Sequence, residues 1–435
     1  MRQGNYDQAI ADFSQVVALR SDSAHAYYQR GVAYARKGEY DRALDEYALA
    51  LRYHPNFPEA YNERGNAFLQ KRDRDDPRVE LEQARNPAFD LKTDIVRRAV
   101  AEYSHALKLA PDFLSSYFNR AFAYFTLGEF DAAIADYGEA LRLRPDLVDA
   151  HYNRAISYAR KRDYDRAIAD FGEVIRLTPD LIDAYIHRAN AHLNKNDIAG
   201  ALGVYDALIK AKPELAEAYF YRGNTFFSQP DYRRALADYD QAVRLKPDFL
   251  DAIFRRGNTY FNDRQYDRAI ADYDLIIQQK PDFVDAYVHR GNAWNNKGDA
   301  DRALADLDRA AQIKPDHFDA YYNRALIWMG RQEYDRAIAD FDRALALRPA
   351  MPEAYRNRAV AYYFKRDVDR AIADLSEAIR LNPAYADAFY TRGILWRAKN
   401  ARDAAIANFN RALALAKDDG FRHQVEEQLR ALGAR

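Results

Sequence analysis

The chain has 435 residues, with 65 Lys and Arg against 66 Asp and Glu and no cysteine. A net charge of −1 lacks the basic footprint with which nucleic-acid binders neutralise phosphates, so no nucleic-acid partner is expected. Without cysteine there is no disulfide, thiolate nucleophile or thiolate metal site, and with a mean hydropathy of −0.59 and no apolar run of about 18 residues, no membrane insertion is expected.

The first residues, MRQGNYDQAIADF, carry neither the apolar run nor the small-residue cleavage site of an export signal, which points to a cytoplasmic protein. A helix is expected from about Tyr6 to Ala18. From Ala24 the sequence repeats with a period of 34 residues; with Ala24 as position 1, full units begin at Ala24, Pro58, Leu114, Val148, Ile182, Ala216, Leu250, Val284, Phe318, Pro352 and Ala386. These eleven units occupy residues 24–419, and the second carries about 22 extra residues near 72–93, RDRDDPRVELEQARNPAFDLKT. Asp76 followed by Pro77 is a cap and first helical position, so a short helix from Pro77 to Arg85 is expected inside a surface loop. Residues 1–23 match only the second half of a unit, which predicts an incomplete first repeat with an open apolar edge at Ile10 and Phe13. Residues 420–435 contain HQVEEQLRAL, which predicts a capping helix.

Within each unit, bulky residues at positions 4 and 11 bracket a Gly or Ala at position 8, as in Tyr27, Gly31 and Tyr34, the spacing of a first helix that a neighbour approaches closely. A break such as GEYDRA follows. Ala43, Tyr47 and Ala50, or Ala167, Phe171 and Val174, then give the i, i+4, i+7 stripe of a second helix, which a proline such as Pro145 or Pro247 stops. Asp pairs three residues apart, Asp146 and Asp149 or Asp282 and Asp285, read as N-caps and first-turn charges of the first helices. Position 7 is Arg in all eleven units and position 23 is usually acidic, so a ladder of ion pairs between packed helices is expected.

This pattern closely resembles the tetratricopeptide repeat, a helix-turn-helix unit of the same length with the same small and aromatic positions and a closing proline. The resemblance implies an all-α fold, a right-handed α-α superhelix in which antiparallel helix pairs stack into one continuous core. It also implies a concave groove lined by positions 2, 5, 6, 9, 12 and 13 of the first helices. Asparagine, a poor residue for a helix interior, fills position 9 in four consecutive units as Asn190, Asn224, Asn258 and Asn292. Its amide offers both donor and acceptor to the backbone of an extended peptide. Aromatics stand beside it: Tyr152, Phe220, Phe254 and Tyr322 at position 5, Phe261 at position 12.

No HExxH, GxxxxGK, GxGxxG or GxSxG string occurs, the histidines are scattered, and the carboxylates follow the repeat register. The expectation is therefore a protein without catalytic residues, metal or cofactor. It should be a protein-interaction scaffold or adaptor that binds an extended peptide or partner segment in its concave groove. Two alternatives stand beside it: a regulatory or targeting subunit of an enzyme complex, and a homodimer formed through the N-terminal edge.

Overall fold

A computed structural model describes residues 5–72 and 91–434. Among the described residues there are twenty-four α-helices and no strand. Tyr6–Leu19 is followed by helix pairs from Ala24–Lys37 with Tyr40–Tyr53 through to Ala386–Ala398 with Arg402–Leu415, and Asp419–Ala431 ends the series. The chain forms two compact units, Met1–Pro213 and Glu214–Arg435. Each unit is a row of antiparallel helix pairs in which every helix packs on the one before and the one after it.

The 34-residue register decides what is buried. Positions 3, 4, 8 and 10 of the first helix turn inward, as Ala26, Tyr27, Gly31 and Ala33 do, and positions 20, 24 and 27 of the second, as Ala43, Tyr47 and Ala50 do. Position 8 is small because the ring at position 24 of the same pair lies against it. A Cβ on Gly31 would stand 2.8 Å from Tyr47 Cε1, and one on Gly393 2.7 Å from Phe409 Cε1. The turn between the helices of a pair passes through a left-handed residue at position 15, with φ of 77° at Gly38 and 89° at Gly298.

Two expectations need correction. The first helices are not capped by Asp146 or its equivalents: the cap residues are Leu147, Leu181, Phe249 and Phe283, none with a capping side-chain hydrogen bond. Asp149, Asp183, Asp251 and Asp285 do lie in the first turn, where a carboxylate favours the helix dipole. Capping aspartates belong to the second helices, where Asp163, Asp197, Asp231, Asp299 and Asp367 accept a hydrogen bond from the backbone three residues on. The second correction concerns the extra residues: the helix Leu91–Leu109 begins before Asp94, so Leu91, Lys92 and Thr93 are helical rather than loop. The short helix expected at 77–85 lies outside the described residues.

The expected ladder is present, with more connections than the sequence suggested. The guanidinium at position 7 meets the carboxylate at position 23 of its own pair in Arg30–Glu46 (2.9 Å), Arg64–Glu102 (2.7 Å), Arg120–Asp136 (2.6 Å), Arg154–Asp170 (2.7 Å) and Arg222–Asp238 (2.6 Å). Arg256–Asp272, Arg290–Asp306 and Arg324–Asp340, each 2.5 Å, and Arg358–Asp374 (2.7 Å) continue it. In most of these pairs Nε and Nη2 take the two oxygens of one carboxylate, the fork geometry that arginine alone supplies. The remaining Nη1 reaches back to position 25 of the preceding pair: Arg256 to Asp240 (2.9 Å), Arg290 to Asp274 (2.5 Å), Arg358 to Asp342 (2.6 Å), and, with a hydroxyl in that place, Arg30 to Ser14 and Arg120 to Ser104 (3.0 Å each). One side chain thus ties three helices.

Two rungs differ. Arg392 meets Asn408 (2.8 Å) instead of a carboxylate. Arg188 has Val204 at position 23 and Gly172 at position 25 behind it, and its buried Nε makes no hydrogen bond. This contrast sets a test. The side chains of Arg256 and Asp272 are 17 % and 7 % exposed, so Arg256→Leu strands Asp272 and should cost about 3–5 kcal/mol. Arg188→Leu strands no carboxylate and should leave the melting temperature unchanged or raise it. Thermal denaturation of the two variants side by side reads the difference.

Candidate functional site

On each first helix, positions 2, 5, 6, 9, 12 and 13 form the side turned away from the buried positions 3, 4, 8 and 10. In the unit Met1–Pro213 this face holds two cavities. One, of about 560 Å³, is bordered by Arg36, Glu63, Asn66, Gln70, Asn119 and Phe122, among others. The second, of about 330 Å³, is bordered by Asn62, Glu63, Asn66, Phe118, Asn119 and Asp149, with Arg144 at its edge. Glu63, Asn66 and Asn119 border both.

The position-9 asparagines divide by what stands opposite them at position 24. Asn66 Oδ1 accepts from the Tyr103 hydroxyl (2.8 Å), Asn224 Oδ1 from Tyr239 (2.8 Å) and Asn258 Oδ1 from Tyr273 (2.7 Å). These tyrosines are fully buried, and burial raises their hydroxyls well above the ordinary pKa, so each stays neutral and donates. Where position 9 is apolar, as at Val32 and Phe122, the opposing hydroxyls of Tyr47 and Tyr137 are buried with no partner. Ile156, Leu326, Val360 and Ile394 instead face Phe171, Phe341, Leu375 and Phe409, which have no hydroxyl to satisfy. Asn190 faces Tyr205, and Asn292 faces Leu307, where its amide makes no hydrogen bond among the described residues.

The residues singled out from the sequence are therefore not equivalent. Asn190 and Tyr152 lie in the first unit, Asn190 exposed and Tyr152 with its ring against Phe171 (5.8 Å) and His187 (5.7 Å). The second unit carries Asn224, Asn258 and Asn292 half-buried on successive first helices. Phe220 is only 9 % exposed, packed on Phe249 (4.9 Å) and Tyr239 (6.2 Å), so its ring supports the surface more than it forms it. Phe254 is half-buried beside His289 (4.9 Å), whose pKa burial lowers, and Phe261 is half-buried beside Tyr266 (5.6 Å). Tyr322 packs on Phe341 (6.0 Å), and its hydroxyl accepts from Asn357 Nδ2 (3.0 Å).

Sequence reasoning passed over two features. Position 9 also carries exposed apolar side chains, Phe122 (41 %) and Leu326 (40 %), with Tyr363 and Phe364 nearby in sequence at positions 12 and 13 of the pair after Leu326. Reading all eleven residues at position 9, rather than the asparagines alone, would have found them. The second is the amide network of Asn62, Asn66 and Asn119, in which Asn119 lies more than fifty residues beyond the other two, in part because of the extra segment. No group of side chains arranged to hold a metal ion is found among the described residues, and no described helix is long and apolar enough to cross a membrane.

Stacked helix pairs with an extended side-chain face on one edge define a repeat protein built for contact with other proteins. Models of the tetratricopeptide repeat match residues 1–56, 38–86, 148–181, 187–248, 254–318, 318–351 and 352–385, and a TPR repeat model matches 123–162. The chain belongs to the tetratricopeptide repeat family, whose members serve in general as protein-interaction scaffolds. No curated protein matches it. Among solved structures it is similar to yeast Tom70, at 17 % identity over 95 % of this chain and 96 % of that one, with a TM-score of 0.46. A tetratricopeptide repeat protein from Parabacteroides merdae aligns at 19 % identity over 58 % of this chain and 98 % of that one, TM-score 0.45. YrrB, a TPR protein described as having an unusual peptide-binding site, aligns at 23 % identity over 43 % and 97 %, TM-score 0.36.

The Asn–Tyr pairing has a measurable consequence. Asn258→Ala leaves the Tyr273 hydroxyl buried without a partner and should cost about 1–3 kcal/mol. Adding Tyr273→Phe removes the stranded hydroxyl and should restore most of that loss, and Tyr137→Phe alone should be neutral or stabilising. Equilibrium denaturation of the three variants tests all of this.

Proposed function

We propose that this scaffold holds an extended segment of a partner protein along the face of its first helices, with hydrogen bonds to the segment's backbone and apolar contacts to its side chains. The observation that carries the reading is the lining of the two cavities, drawn mainly from the groove positions of four successive repeats. Polar amides alternate there with apolar side chains, the mixture that suits a peptide whose backbone needs partners and whose side chains need cover.

In the first unit the proposed surface includes Asn190 and Tyr152; in the second it includes Asn224, Asn258, Asn292, Phe254, Phe261 and Tyr322, with Phe220 behind them. Asn224 and Asn258 use their carbonyl oxygens on tyrosines, which fixes the amides and leaves their N–H groups as donors to a peptide carbonyl. Asn292, with no tyrosine to serve, keeps both donor and acceptor. Such a surface binds with little dependence on salt, since its contacts are neutral hydrogen bonds and apolar packing.

Phe122 and Leu326 provide the variant that separates binding from folding, because both are exposed and a charge there should cost little stability. Affinity capture from source-cell lysate with mass spectrometry should lose specific partners on Phe122→Asp combined with Leu326→Asp, while helicity and melting stay unchanged. An unaltered partner list would place binding elsewhere on the molecule.

A further inference from the structure

The two cavities of the first unit share a cluster of side-chain amides around one carboxylate. Asn62 Oδ1 accepts from Ser116 Oγ (3.0 Å) and Asn119 Nδ2 (3.2 Å), and Asn66 Oδ1 accepts from the Tyr103 hydroxyl (2.8 Å) and Asn119 Nδ2 (3.0 Å). Both N–H groups of Asn119 are thereby committed, and the two amide carbonyls each hold two donors. The Nδ2 atoms of Asn62 and Asn66 both turn to Glu63 Oε1, at 3.3 Å each. What remains for a ligand is Glu63 Oε2 and Asn119 Oδ1, two acceptors, one of them on a carboxylate, against one further N–H on each of the two amides.

Glu63 is half-buried, borders both cavities and forms no ion pair among the described residues. Its charge is felt around it: burial first, then the Glu63 and Glu59 carboxylates, push the Tyr28 hydroxyl up to about 12. Phe122 in one cavity and Phe118 in the other supply aromatic walls. Arg36 and Arg144 also border the cavities, but both are exposed and neither bonds to Glu63.

An unpaired carboxylate, a spare amide oxygen and ring faces together make a receptor for an organic cation that carries several N–H donors. A metal ion fits poorly, since no group of carboxylates or imidazoles converges here. We propose that the cavity pair around Glu63, Asn66 and Asn119 receives a lysine or arginine side chain of the bound partner segment, with Glu63 as its counter-charge. This deepens the groove reading above and rests on it. It also gives that surface a salt-sensitive anchor in an otherwise neutral contact, and a preference for basic residues at one place in the partner.

The test uses a displayed library of random dodecapeptides panned on the full chain and on Glu63→Gln. Glutamine keeps the Oε1 acceptor for Asn62 and Asn66, removes the charge and turns the Oε2 acceptor into an N–H donor, and an unchanged melting curve checks that it folds. Peptides selected by the wild type should carry Lys or Arg at one fixed register position, and those selected by the variant should lack that preference. For one selected peptide, Glu63→Gln should weaken binding tenfold or more at low salt; replacing its basic residue by norleucine should weaken it equally, and the two changes together no further. The norleucine peptide needs no protein variant, so the proposal stays testable even if Glu63→Gln destabilises the fold. Peptides enriched equally by both proteins without a basic position would overturn this inference and leave the groove reading standing. No enrichment by the wild type would overturn both.

Discussion

The arginine at position 7 is the constraint on which the rest of the structure depends. It stands sixteen residues before its carboxylate in the same pair and sixteen residues after its second acceptor in the preceding pair, so it joins three helices at once. Such half-buried ion pairs add modest net stability, because each charge must first leave water. Asp272, Asp306 and Asp374 record that cost: burial raises their carboxyls even with a guanidinium against them. What the pairs impose is geometry. A helix that slid or rotated against its neighbours would leave a stranded charge, so the correct register is strongly preferred over near misses, and a string of similar repeats with many similar apolar stripes has reason to need that. Fixing the register fixes which side chains face outward, and so positions the whole candidate binding face.

That face combines two roles that sequence cannot separate. An asparagine at position 9 accepts from a buried tyrosine in the pairs of Asn66, Asn224 and Asn258, and its amide nitrogen is not used in that bond. The hydroxyls of Tyr47 and Tyr137 show what happens without it: each is buried and unsatisfied. Leu326, Val360 and Ile394 coincide with Phe341, Leu375 and Phe409, so a polar stretch in the pairs of Asn224, Asn258 and Asn292 gives way to an apolar one within the second unit. The character of the outer face is thus coupled to the chemistry of the core behind it.

The fold was legible because its determinants are local and repeated. The small residue at position 8, the ring at position 24 and the arginine at position 7 recur in register, and the structure joins them within single pairs. The caps were misread for a physical reason: Asp146 and its equivalents precede the first helix by two residues, while an apolar residue such as Leu147 takes the cap itself and forgoes a side-chain bond. The cavity around Glu63 was not legible. Asn62 and Asn119 are brought together only by stacking across the extra segment, and no period in the sequence marks residues 57 apart as neighbours. Likewise, position 9 acquires its meaning from position 24, a relation between two helices that a scan along one helix does not reveal.

The central claim is that a partner segment lies on the face of the first helices. Site-specific photo-crosslinking tests it most directly, with benzoylphenylalanine placed at Phe122 or Leu326 on that face, and at Arg142 or Arg380, exposed on second helices, as the comparison. Under saturating concentrations of a partner or selected peptide, crosslinks should form from Phe122 or Leu326 and not from Arg142 or Arg380. Crosslinks from the second helices alone would contradict the account.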